Sequence, residues 1–423
     1  MNTYGWDSVF ALSVPAANKQ LAANMSKLLE TFNFNYTGGL APTQIQGTFS
    51  PWQIVPGGSN SIIQLKLPIQ SGTMNVSGLG TYQLDGVAVE VQIPLAILPS
   101  TVTPQTQELA FDFSGTATND SSGIVYIRTD DPNQRVPTSY DTLLGDALIQ
   151  CLLANKAAIT YIFATIDLTP SANSWLTPVE SVFSYQVPVG SSTQYLSILS
   201  MTTAQDVSKL SRNVDPSLLN PADDWSMAIS SSQFLRGVIL PTLPGVFGHG
   251  TTASTFHYDS GQNAILNTQS FDTDEVKSGL IEYNPKITSL NMTVSGNALH
   301  SVTSGNCDLG VGISMTFTVT SNNAMVFNAS QQTFTFNDDP NPTETHDDNI
   351  PTWEEVLFLG LVDVITMAVV HFVADDIADQ LNTMTGTRSF AGMSPDVVKW
   401  TGMNHLTVKA GGLSDSFYMQ GTM

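Results

Sequence analysis

Thr81-Tyr82-Gln83-Leu84-Asp85-Gly86-Val87-Ala88-Val89-Glu90-Val91-Gln92-Ile93-Pro94-Leu95-Ala96-Ile97 is the stretch on which the fold turns. Apolar, often β-branched side chains recur there at every second position, the period of a strand with one face buried. The same character appears on both sides, in Ser61–Ile69, Gln107–Phe113 and Gly123–Arg128, and Gly, Pro and Asn punctuate the intervals. Further strands are expected at Ala158–Asp167, Ser181–Val187 and Tyr195–Ser200. In the second half they are expected at Gly279–Val294, Gly310–Thr320 and Ala324–Phe336, with a last pair between Pro395 and Met423. So many short segments, joined by turn residues rather than by helical crossovers, predict antiparallel sheets.

Helical periodicity interrupts this plan in four places. Ala17, Leu21, Met25, Leu28 and Phe32 predict a helix over Val14–Phe32, with Ser13 as N-cap and Pro15 in the first turn. Tyr140, Leu143, Leu144, Ala147, Leu148, Cys151 and Leu152 predict a second over Thr138–Asn155, opened by a capping box of Thr138 and Asp141. Leu235, Val238, Ile239 and Leu243 predict a third over Ser230–Leu243, with Ser230 and Gln233 as its capping box. The longest is expected over Trp353–Leu381, capped by Thr352 and Glu355. The order helix, strands, helix therefore occurs twice. Trp6 precedes Ser13 by the same seven positions that separate Trp225 from Ser232. In 423 residues two modules are expected, 1–215 and 216–423. The expected fold is α+β, with strongly curved antiparallel sheet wrapped around apolar helices.

Charge excludes several functions. Lys and Arg total 14 against 36 Asp and Glu, a net charge of −22, and no basic run is present. Nucleic-acid binding needs clustered cations to displace counterions, so no nucleic-acid partner is expected. Charged residues make up only 12% of the chain, and neutral polar residues take their place on the surface. Cys151 and Cys307 lie in different halves and read as free buried thiols. The first residues, Met1–Phe10, carry Asp7 and no cation, which is not the pattern of a secretory signal. Synthesis in the cytoplasm is expected, with any release by another route. Val356–Ala374 is almost wholly apolar, but Asp363 near its centre would cost about 2.5–3.5 kcal/mol in a bilayer, so a helix buried in protein is expected there and no membrane span.

The opening Asn2-Thr3-Tyr4-Gly5-Trp6-Asp7 and the segment Trp52-Gln53-Ile54-Val55-Pro56-Gly57-Gly58-Ser59 resemble a known family. So do Ile159-Thr160-Tyr161-Ile162-Phe163-Ala164, Tyr195–Ser200, Asp206–Asp215 and the third helix from Ile229 to Pro241. The family is that of the forty-seven-kilodalton accessory proteins of OrfX-type botulinum neurotoxin gene clusters. The resemblance implies a tubular lipid-binding (TULIP) fold, in which long helices are wrapped by highly curved antiparallel sheet. It also implies a non-enzymatic role beside a protein toxin, in clusters of a kind that accompany insecticidal toxins, and it supplies no catalytic residues. Clostridial members look lysine-rich; this chain is not, which weakens any lipid-headgroup contact that depends on a basic patch.

Site candidates divide by chemistry. Asp338, Asp339, Glu344, His346, Asp347 and Asp348 form an acidic group whose spacing fits no calcium loop, and a solvated loop is expected. His371 with Asp375, Asp376 and Asp379 offers metal-ligand types on the last helix, but the bland reading is a polar stripe, so no metal and no cofactor is expected. No HExxH, CxxC, GxSxG or P-loop pattern joins a nucleophile to a base, and no enzyme is expected. The apolar helix faces are the candidate ligand-binding groove: Leu21, Met25, Leu28, Leu144, Leu148, Leu235, Ile239, Leu361, Val364 and Ile365. Each such residue also reads as ordinary core. Two functions follow. One is an accessory protein that assembles with or escorts a toxin and other cluster-encoded proteins, with lipid as a further ligand. The other is a stand-alone carrier of lipid or another hydrophobic ligand.

Overall fold

The computed structural model describes residues 1–39, 41–114, 123–169, 175–190, 192–247, 250–278, 281–310, 313–347, 365–367 and 397–423. Among these, three large antiparallel sheets dominate.

The central sheet has six strands in the order Glu180–Gln186, Tyr195–Met201, Ser8–Ser13, Trp225–Ser230, Ser416–Thr422 and Thr407–Leu413. Ser8–Ser13 runs antiparallel to both neighbours, with Phe10 opposite Ile198 on one side and Met227 on the other. All six of its residues are buried. Alternation explains how. Phe10 and Leu12 face the main core, whereas Val9 and Ala11 face a second cluster with Trp6, Tyr195, Leu199 and Ala228. A strand buried on both faces shows no polar–apolar alternation.

A ten-stranded sheet occupies most of the first half. Its path is Thr31–Tyr36, Thr43–Phe49, Ile62–Val76, Ala88–Pro99, Thr106–Phe111, Ile162–Asp167 and Val398–Trp400. Ile62–Val76 pairs with Gln53–Ser59 along its first part and with Thr43–Phe49 along its second, and the register slips at Thr48/Phe49. Such bulged long strands bend a sheet. Gly47 and Gly72 lie opposite each other beside that bulge, and a Cβ on either would overlap the facing backbone. An eight-stranded sheet occupies the second half around the long strands Lys286–Ser295, Ala298–Gly310 and Ile313–Asn328.

The helices are short. Val14–Ala23 starts where Ser13 Oγ accepts the Ala16 N–H at 3.3 Å and stops at Asn24, whose side chain donates to the Gln20 carbonyl at 2.9 Å. The expected continuation to Phe32 does not occur. A 3-10 turn, Met25–Lys27, follows, and Phe32 belongs to the strand Thr31–Tyr36, its ring centroid 4.7 Å from that of Phe49. Phe32, Phe34 and Tyr36 satisfy a period of two as well as Phe32 satisfies the helical one, and sheet pairing decides between them. The second helix is Asp141–Ala154, preceded by a 3-10 turn at Thr138–Tyr140. Thr138 makes no side-chain cap, contrary to the expected capping box. Gly145 lets this helix lie on the Tyr126 ring, where a Cβ would overlap it.

The third helical stretch runs through Ser231–Phe234, a π-turn at Leu235–Ile239 and Leu240–Phe247. Pro241 has no N–H to return to Gly237. The chain widens just before it, and the Leu240 N–H bonds Leu235 O, one residue further back than in an α-helix. Ser230 caps the Gln233 N–H at 3.3 Å, but the Gln233 side chain donates to Thr202 Oγ1 at 2.7 Å, so only half of the expected capping box forms. The cap is Ser230 and not the Ser232 of the tryptophan spacing. The expected helix Trp353–Leu381 lies outside the described residues except for 365–367, which are helical. Long helices are therefore not found among the described residues.

Candidate functional site

The groove candidates fall together. Leu21, Leu28, Leu144, Leu148, Leu235, Ile239 and Ile365 are buried in one cluster with the inner faces of the sheets, and Met25 packs half-buried against it. Leu361 and Val364 lie outside the described residues. The cluster runs from Phe10 to Met419 and draws on each α-helix among the described residues and on all three large sheets. Helix and sheet meet there through fixed polar contacts as well as apolar ones. Asn18 on the first helix exchanges two hydrogen bonds with the backbone of Ile54, donating to its carbonyl at 3.0 Å and accepting its N–H at 2.8 Å. Gly237 does for Trp175 what Gly145 does for Tyr126, making room for the ring against the helix.

Beside that seam lies a cleft of about 320 Å³ lined by Trp175, Thr177, Thr202, Thr203, Gln233, Arg236 and Gly237. Arg236 sits 5.7 Å from the Tyr258 ring centroid, a cation–π distance. Asp7 is buried nearby and accepts both the Thr202 N–H at 2.8 Å and its hydroxyl at 2.7 Å. Sequence reading did not find this cleft, because its residues come from three separated segments with no motif spacing.

The second face of the central sheet is covered by the loop between Met201 and Trp225, which acts as a strap. Val214, Leu218 and Leu219 press onto Val9, Ala11, Leu199 and Ala228. Side chains from outside the strap hold it by its backbone. Trp6 Nε1 donates to Ser211 O at 2.7 Å, Gln186 donates to Arg212 O at 2.6 Å, and Gln420 donates to Leu218 O at 2.8 Å. Gln186 also accepts the Val214 N–H at 3.3 Å. Trp6 and the run Asp206–Asp215 were both singled out in the sequence; the two glutamines gave no signal.

The acidic residues are engaged in the fold. Asp339 accepts the Asn322 N–H at 2.7 Å and the Asn341 N–H at 2.9 Å, and Glu344 accepts the Thr366 hydroxyl at 3.0 Å. Asp348, His371, Asp375, Asp376 and Asp379 lie outside the described residues. Among the described residues no group of three His, Cys, Asp or Glu side chains is placed to hold a metal ion, and no helix is long and apolar enough to cross a membrane. Among the described residues, Glu90 is the most deeply buried carboxylate paired with a cation. Arg128 grips both its oxygens, at 2.9 and 2.7 Å, and Gln64 donates to it at 2.8 Å. These bonds hold its pKa below the ordinary value, against the opposing effect of burial.

Antiparallel sheets, short helices packed against them and a strapped central sheet define a β-rich protein whose distinctive features are surfaces and seams. The chain belongs to the OrfX-like family: the model described as Protein OrfX2/OrfX3/P47 matches residues 3–387. It is 29% identical over 430 residues to Protein P47 of Clostridium botulinum (strain Kyoto / Type A2), covering 100% of this chain and 99% of that one. It is 22% identical over 353 residues to Protein OrfX3 of Paraclostridium bifermentans, covering 74% of this chain and 70% of the relative. The crystal structure of P47 from C. botulinum A2 superposes with a TM-score of 0.81 at 26% identity, over 100% of this chain and 98% of that one. That of P47 of C. botulinum E1 gives 0.80 at 24% identity, with full coverage of both chains.

Proposed function

We propose that this chain is a non-enzymatic accessory protein of a toxin gene cluster, which assembles with or escorts a protein toxin and sibling cluster products. The observation that carries this reading is the end-to-end likeness to P47 in both sequence and structure. Absence of any nucleophile–base spacing in the sequence agrees with a binding role. The reading includes two modules, 1–215 and 216–423. It is supported by the order of the central sheet, where Glu180–Gln186, Tyr195–Met201 and Ser8–Ser13 stand on one side of its midline and Trp225–Ser230, Ser416–Thr422 and Thr407–Leu413 on the other. In each trio the strand at the midline leads directly into a helix.

The decisive experiment is a pull-down of the purified chain with each product encoded beside its gene, toxin included. Recovery of the toxin or a sibling supports the reading; recovery of none counts against it.

The second reading, a TULIP-like lipid carrier, draws on Leu21, Met25, Leu28, Leu144, Leu148, Leu235, Ile239 and Ile365, which meet beneath curved sheet. A chain that entered this seam would gain about 0.8 kcal/mol per buried methylene. Native mass spectrometry of the purified protein tests it. Co-purified lipid in a protein that captures no cluster product would favour the carrier.

A further inference from the structure

Thr31–Tyr36 is the outermost strand of the ten-stranded sheet. It pairs with Thr43–Phe49 without a register shift, from Thr31 opposite Thr48 to Tyr36 opposite Thr43. The Phe49 N–H donates to Glu30 O at 2.8 Å, which fixes the phase of the ladder. Backbone groups of Phe32, Phe34 and Tyr36 therefore point to the inner neighbour, and those of Thr31, Asn33 and Asn35 point outward. The side chains of Thr31, Asn33 and Asn35 are exposed.

Among the described residues, other sheet edges carry protection that this one lacks. Along Thr407–Leu413 the register slips between Val408 and Ala410, and Lys409 adds a charge. The Gln332 amide also covers that edge, donating to Val408 O at 2.8 Å and accepting the Val408 N–H at 3.1 Å. On Glu180–Gln186 the Tyr185 N–H is taken by Asn60 O at 2.6 Å. Val398–Trp400 is three residues long and carries Lys399. Bulges, charges, covers and short length are the usual means of blocking strand addition. Thr31–Tyr36 has six residues with no bulge, no charge and no proline.

We propose that Thr31–Tyr36 is a self-pairing surface, along which two copies of this chain join antiparallel so that the sheet continues across a two-fold axis. The sequence argues for a second copy in particular. Phe32-Asn33-Phe34-Asn35-Tyr36 reads nearly the same in both directions about Phe34. Antiparallel pairing centred there sets Asn33 against Asn35 of the second copy, Phe34 against its own counterpart, and Phe32 against Tyr36. Amides then meet amides on the outer face and aromatic rings meet rings on the inner one. Charge favours the same occupant. In a chain of net charge −22, the outer-face rows behind the edge are uncharged: Asn33, Gln46, Thr73 and Gln83, then Asn35, Gln44, Asn75 and Thr81. Glu30 falls opposite Gly38 and not opposite its own copy. A single strand pair buries less than the ~1,200 Å² of a standard interface, so the dimer is concentration-dependent.

Sedimentation equilibrium of the full chain over a concentration series tests this. The native mass is expected to rise toward twice 45.4 kDa. Asn33→Pro removes one outward N–H at a position where an edge strand tolerates proline, and it is expected to abolish the rise. The double variants Asn33→Lys with Asn35→Lys, and Asn33→Asp with Asn35→Asp, are each expected to stay monomeric, and an equal mixture of the two to recover dimer. Their substituted side chains are exposed, so the fold is kept, and a native-like melting transition checks it. A native chain that is monomeric throughout overturns the proposal, as do variants that associate like the native chain or a mixture that stays monomeric.

Discussion

Glu90 shows most clearly how a single residue ties the sheet together. It sits on Ala88–Pro99, its partner Arg128 on the adjacent strand Val125–Asp130, and Gln64 on the opposite neighbour, so three strands meet at one carboxylate. With its pKa depressed below the ordinary 4.5, Glu90 contributes stability above that value, and the contribution is lost as pH falls through the lower folded value. Arg128→Met removes the largest cause of the depression. The variant is expected to melt several degrees below the native chain near neutral pH. The gap should narrow as pH drops below the ordinary glutamate range, and thermal melts across pH check this. None of it was legible in the sequence, where Glu90 is one carboxylate in an alternating strand and Arg128 lies 38 positions away. Cys151 and Cys307 were legible, as small apolar residues in apolar patterns. Both are buried, which pushes their thiol pKa values up to about 11.

Between elements, two side-chain amides stand in for strand neighbours. Asn18 serves the Ile54 backbone and Gln332 serves the Val408 backbone, each as donor and acceptor at once. Asn18→Ala or Gln332→Ala leaves a buried N–H and carbonyl without partners. Each is expected to cost about 1–3 kcal/mol, read as a lower urea midpoint at unchanged slope. An unchanged midpoint would mean that solvent replaces the amide at no cost. Most strands between Ile62 and Asp167 were readable from their period of two, but Thr81–Ile97 is not one strand: Gly80–Gln83 and Ala88–Pro99 are separated by a turn at Asp85-Gly86, and Ala88–Leu95 is buried on both faces except at Gln92. Ser8–Ser13 and Trp225–Ser230 were not readable, because both faces are covered and the pattern reads as a plain apolar run before a helix cap. The first helix was read too long for the related reason that Phe32 fits either period. The third was read correctly in place, but its π-turn depends on Pro241 and could not be seen from apolar spacing alone.

At the scale of the whole molecule, the kinship carried the functional reading, and the groove candidates among the described residues share one core cluster because the apolar stripes of helices point inward. The cleft at Arg236 was not legible, since it is built from distant segments, and neither was the strap, since the side chains that hold it lie far from it in sequence. The strap is the feature most open to test. Trp6→Phe keeps the packing of the ring and removes the bond to Ser211. Amide exchange in residues 206–215 is expected to quicken while that of Tyr195–Met201 stays slow. Equal rates in both proteins would assign the hold to packing alone.

The middle sheet also imposes a schedule. Ser8–Ser13 is made before either of its partners, so one flank must wait for Tyr195 and the other for Trp225, which in turn needs Ser416–Thr422 beside it. Until Ser416–Thr422 is made, Trp225–Ser230, buried almost throughout, has no complete berth, and a chain cut short before Ser416 would leave it with a bare flank. Newborn copies of this protein should therefore lean on chaperones until Ser416–Thr422 arrives.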